Sequence, residues 1–169
     1  MAAPEPLRRH AETTAQVLAA ARAKLGDPKA ATPARPARKV DESLRGSHRV
    51  AAVALLDAAD EAVWAAEEAS RHELAIDDEL VKFSARLRDS ALALSRALGL
   101  SGEEAAALLV EAKKQASVAE LHHRSQRKKA HDDPRFVDGL KREGVAKRLS
   151  DCGEALQKAI DAAAEALAS

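Results

Sequence analysis

The chain has 169 residues, 27 basic and 27 acidic side chains, and 46% apolar residues. That length suits one domain with a real core, and the balanced charge argues against general affinity for nucleic acid. No apolar run is long enough for a membrane span, MAAPEPLRRH lacks the apolar core of a secretory signal, and the single cysteine, Cys152, has no internal disulfide partner, so a cytoplasmic protein is expected.

About a quarter of the residues are alanine, tyrosine is absent, and Trp64, Phe83 and Phe136 are the only aromatics. Alanine is the best helix former but buries little area, so an Ala-rich core requires helices packed closely over long seams. The expected fold is all-α: an antiparallel bundle of four long helices plus an N-terminal helix, with residues 1–169 forming a single domain.

In chain order, Leu7, Ala11, Thr14, Leu18, Ala21 and Leu25 step by four and three, a helical seam that Gly26 and Asp27-Pro28 end. Residues 27–40, DPKAATPARPARKV, carry three prolines and four basic residues and read as an extended, mobile linker. Asp41 is the expected N-cap of a second helix, with Leu44, His48, Ala51, Leu55, Ala58, Ala62 and Ala66 inward and Gly46 weakening its first turns. A second seam, Ile76, Leu80, Phe83, Leu87, Ala91, Leu94 and Leu98, leaves the helices before and after residues 73–77 either continuous or broken by a tight turn. A break is expected, because one unbroken helix would be about 78 Å long, and Asp77 or Asp78 is placed to cap the new helix. Gly99-Leu100-Ser101-Gly102 is a turn, and Ser101 with Glu104 forms a capping box. The next helix runs through Ala105, Leu108, Ala112, Ala116 and Ala119 to about Leu121. Residues 122–133, HHRSQRKKAHDD, are expected as a polar connection. Asp133-Pro134 should start the last helix, which runs to about Leu167 with Val137, Leu140, Val145, Leu149, Cys152, Leu156, Ile160, Ala163 and Leu167 inward, Cys152 as a small buried apolar residue.

Charge is unevenly spread. Residues 1–40 hold eight basic and three acidic side chains, residues 41–79 three and eleven, and residues 122–149 nine and four. An acidic segment between basic ones can pair within the fold, between subunits or with ions. In LLDAADEAVWAAEEAS, Asp57 and Glu61 share a helix face, with Asp60 beside them and Glu67 and Glu68 two turns on. Such carboxylates share a cation if a second helix adds ligands, and otherwise form a solvated face. Glu120 and His123 form one Glu-x-x-His pair, where a di-iron bundle needs two. His72-Glu73-Leu74 echoes a phospho-acceptor box. Arg124, Arg127, Lys128 and Lys129 form a basic run without the aromatic platforms of single-strand binding, suited to phosphate or anionic lipid. No nucleophile, base and orienting group cluster in the sequence, so no enzyme is expected.

The order of these segments resembles the PhoU-like family of phosphate-transport regulators, especially its single-repeat transporter-accessory branch. LRRHAETTAQVLAAARAKL is similar to that branch's first helix, and LLDAADEAVWAAEEAS falls where the family carries its first carboxylate motif, kept as Asp57…Glu61 with Asp60 alternative. IDDELVKFSARLRDSALAL resembles the next helix, with its Leu87-Arg88-Asp89 ending. LKREGVAKRLSDCGEALQKAIDAAAEAL lines up with the last. There the second motif departs, with Ser150…Glu154 leaving Asp151 and Glu154 as carboxylates. The resemblance implies a non-enzymatic, dimeric accessory of a phosphate or related anion transporter, holding a divalent or ferric ion on Asp57, Asp60, Glu61, Asp151 and Glu154. Arg124, Arg127, Lys128 and Lys129 would then face anions or the membrane surface. The other expectation is a bundle that binds another helical protein without metal.

Overall fold

The computed structural model describes residues 2–169, apart from the side chains of Ala119 and Glu120. It is all-helical, without a strand among the described residues: α1 (Glu5–Gly26), α2 (Gly46–Arg71), α3 (Asp78–Leu98), α4 (Gly102–Asp132) and α5 (Phe136–Ala168). None of these helices is both long and apolar enough to cross a membrane. Most residues of the seams read from the sequence face inward: Leu7, Leu18, Leu55, Phe83, Leu94, Leu149, Leu156 and Ile160 are buried, as is Cys152. Ile76, Val137 and Leu140, expected inward, are exposed, because Ile76 precedes the start of α3 and Val137 and Leu140 lie in the first turns of α5, next to the α4–α5 turn. Alanine lets the backbones approach, with Ala51, Ala58, Ala62, Ala65 and Ala66 all buried on α2.

The helices surround the core in the order α1, α2, α5, α4, α3, so the backbones of α2 and α3, neighbours in sequence, are not adjacent among the described residues. Two hydroxyls tie neighbours together inside the core, where a polar group must find a partner. Thr14 donates to the Leu55 carbonyl (3.1 Å) and Ser90 to the Ala112 carbonyl (2.7 Å). Farther along, Lys24 and Leu25 share a pocket wall with Ala66 and Ala69, so α1 and α2 run parallel. This direction has a consequence for residues 27–45. The chain leaving α1 must travel back along most of α2, about 32 Å, before α2 can begin. Proline-rich backbone at about 3 Å per residue covers that distance. The linker is therefore extended, as expected, but docked as a strap rather than free, anchored by buried Pro33 and Leu44 and by Val40 packed on the core.

The helix boundaries differ from expectation in three places. α2 starts at Gly46, not after Asp41: Asp41 folds back to accept from the Ser43 amide and hydroxyl, and Gly46 takes φ 54°, closed to most side chains. α4 does not stop near Leu121 but continues through Asp132. HHRSQRKKAHD contains neither Gly nor Pro, and Gln126 and Ala130, four apart, turn inward while the polar residues face out; helical period outweighed overall polarity. α5 begins at Phe136, because Asp133 and Pro134 belong to the α4–α5 turn, where Asp133 accepts from the Arg135 amide. Ser101 stands at the N-cap of α4 without a side-chain capping bond. The break between α2 and α3 is present, with Asp77 capping α3 through the amides of Glu79 (2.9 Å) and Leu80 (3.3 Å).

Candidate functional site

α2 carries its acidic residues on the face turned toward α5 and the strap. Asp57, Asp60, Glu61, Asp151 and Glu154, the five carboxylates singled out from the sequence, all line one open cleft of about 410 Å³ between α2 and α5, together with Trp64, Arg38 and Lys158. Antiparallel packing of the two helices brings this about, matching the region of Asp57 with that of Lys158 and Glu68 with Gly144.

Most of these carboxylates already hold a cationic side chain. Arg38 of the strap bridges Asp57 (2.8 Å) and Asp60, and the hydrogen bond it donates to Asp57 holds its guanidinium above the ordinary arginine range. Arg35 reaches Glu67 at 2.8 Å. From α5, Arg148 donates to Glu68 (3.1 Å) and Glu61 (3.4 Å), and Lys147 pairs with Asp151 (3.0 Å). Burial raises the Glu61 carboxyl above its usual range, against the pull of Arg148. Among the described residues no group of three or more His, Cys, Asp or Glu side chains is arranged to hold a metal ion. The acidic segment is thus paired within the fold.

Trp64 sits at the centre of this arrangement. The residue is 41% exposed, with the Arg148 guanidinium 4.2 Å from the ring centroid and that of Arg35 5.2 Å away. Both arginines reach carboxylates of α2 while lying against its tryptophan, so each is held by charge and by the ring quadrupole. Reading the sequence did not single out Arg35, Arg38, Trp64 or Arg148. The available signal was the pair of arginines three apart in the strap, which becomes informative only once the strap is known to run along α2.

The basic run lies on α4 instead of a connection. Lys129 pairs with Glu79 of α3, and Gln126 donates to the same carboxylate (3.0 Å). Arg124 is exposed, and Arg127 and Lys128 are exposed and enter no ion pair among the described residues. His122 stacks on Phe83, ring centroids 5.2 Å apart, and burial holds its imidazole below the ordinary value, aided by Arg86. His123 contacts Glu143 at 2.9 Å, while Glu120 lies outside the described side chains. His72 caps the end of α2 instead of standing on a helix face, and Glu73 follows with φ 51° in the turn. Burial raises the Cys152 thiol well above its usual range. No protein-family model, no curated protein and no solved structure matches the chain.

Proposed function

We propose that the chain is a non-enzymatic regulatory bundle that recognises a basic segment of another protein on the α2–α5 acidic cleft, exchanging that segment for its own strap. One observation carries this reading: Arg35 and Arg38, from a proline-rich stretch, already sit on the carboxylates of α2 in the way a basic peptide would. Their side chains are 35% and 54% exposed, and ion pairs so exposed contribute about 0–1 kcal/mol each, so a competing partner meets a small barrier. The frame of this reading is an antiparallel bundle with α1 as its fifth member. The PhoU-like resemblance suggests the client, a phosphate or related anion transporter met in the cytoplasm by a dimer of the chain.

A peptide copying residues 31–40 tests the reading when added to the Arg35→Ala/Arg38→Ala variant, with Trp64 fluorescence as readout. The variant should bind the peptide at least tenfold more tightly than wild type, whose own strap competes at millimolar effective concentration. Adding Asp57→Asn and Asp60→Asn should abolish binding. Equal affinity for wild type and variant would exclude exchange.

A second reading, metal binding, is favoured by the convergence of Asp57, Asp60, Glu61, Asp151 and Glu154 on one cleft. A divalent or ferric ion there would have to displace Arg38 from Asp57 and Asp60. Elemental mass spectrometry of protein purified without chelator decides it: stoichiometric metal in wild type, lost in the Asp57→Ala/Asp60→Ala/Glu61→Ala variant, would establish that reading, and a metal-free wild type would remove it.

A further inference from the structure

The α4–α5 hairpin ends in a tip that no other helix covers. Gln126 and Lys129 meet Glu79 at the start of α3, Arg142 reaches Asp77 (3.9 Å), and Gly144 lies beside Glu68 near the end of α2. Residues 136–140 lie beyond those contacts, so α5 extends about 9 Å past Arg142. The hairpin stays tight there because Gly139 is buried against Ala130, whose Cα is 3.0 Å from where a Cβ would stand.

This tip exposes large apolar side chains. Phe136 is 52% exposed, Val137 63% and Leu140 46%. At 100° per residue the three share one side of the first turns of α5. Arg127, Lys128, Arg135 and Lys141 flank them within about two turns and enter no ion pair among the described residues. From 124 to 141 the chain has six basic and three acidic residues, Asp132, Asp133 and Asp138, in a protein whose total charge is zero. Arg142 neutralises Asp133.

We infer that the α4–α5 tip is a membrane-docking surface, seating Phe136, Val137 and Leu140 in the headgroup region of an anionic bilayer. The apolar residues lie beyond the contacts that α2 and α3 make with the hairpin. The projection of about 9 Å matches the roughly 5–10 Å to which interfacial helices bury their apolar face. A basic collar around an apolar point is the complement of anionic headgroups over acyl chains. Each basic residue near such a surface adds about fivefold to partitioning. With no helix apolar enough to span, docking is peripheral.

The test is co-sedimentation of the full chain with vesicles of phosphatidylcholine alone or with about one third phosphatidylglycerol. The expected result is binding to the anionic vesicles only, weakened by salt, and reduced about tenfold or more in Phe136→Ser/Val137→Ser and in Arg127→Glu/Lys128→Glu. Val110→Ser, at a 70% exposed position elsewhere on α4, should bind like wild type. Circular dichroism checks that each variant keeps its helix content. Absence of wild-type binding, equal binding to neutral vesicles, undiminished binding by both tip variants, or an equal loss in Val110→Ser would each overturn the inference. The first of these outcomes would direct the search to a protein partner for the tip.

Discussion

Arg148 of α5 lies 4.2 Å over the ring of Trp64 on α2 while its Nε and Nη1 donate to Glu68 and Glu61 on that same helix. One side chain thereby joins the two helices through charge, hydrogen bonding and ring contact, at a position where it is only one-third exposed. Replacing Arg148 with Met keeps much of the apolar contact but leaves Glu61, already disfavoured as an anion by burial, without its guanidinium. Hydrogen bonds to charged groups contribute about 1.5–3 kcal/mol, and the cation–π contact about 0.5–1. Arg148→Met should therefore lower unfolding stability by about 2 kcal/mol, read as a lower urea midpoint. Arg148→Lys should recover only part of the loss, because an ammonium does not span two carboxylates and a ring in one plane.

Histidine 122 gives the fold a dependence on pH. Its imidazole is held below the ordinary 6.5, first by burial and then by Arg86, with Glu79 pulling the other way. His10 is lowered too, by burial against the pull of Asp41. A histidine whose folded-state value lies below its unfolded one favours folding above about pH 6.5, and that contribution is lost as pH falls through the folded value. The urea midpoint of wild type should thus drop between pH about 7.5 and about 5, and His122→Gln should flatten part of that drop, His10→Gln/His122→Gln more of it. An unchanged slope in the double variant would show that neither ring drives it.

Glycine 46 reverses a rule of helix propensity. In a helix interior, Gly→Ala gains about 1 kcal/mol. Here the residue opens α2 with φ 54°, a conformation that costs an L-residue roughly 1–2 kcal/mol. Gly46→Ala should consequently lower stability by about 1 kcal/mol in thermal or urea unfolding, although no atom lies within 4 Å of the added methyl.

Much of the local structure was legible in the residues. The inward seam of α1, those of α3 from Leu80 and of α5 from Val145, the break before Asp77 and its cap, and the burial of Cys152 depend on period and breakers within a few residues. Ile76, Val137 and Leu140 kept the period but lie where the helices begin, outside the packed part of the bundle. The starts of α2 and α5 and the end of α4 were not legible. Asp41 had a local partner in Ser43 competing with capping, and Gln126 found Glu79 across a helix boundary, so a polar stretch stayed helical.

Of the candidate site, the sequence by itself determined the carboxylates: Asp57 and Glu61 four apart on one helix, Asp151 and Glu154 on another. Helical geometry places such residues on one face whatever surrounds them. Tertiary structure alone decided that the two sets meet and what neutralises them. Arg38 comes from 22 residues before Asp60, and Arg148 from 87 residues after Glu61. Those separations are bridged only because α1 runs parallel to α2, drawing the strap along the acidic face, and α5 runs antiparallel to it. Helix direction depends on how whole faces pack, and no short stretch of sequence encodes it.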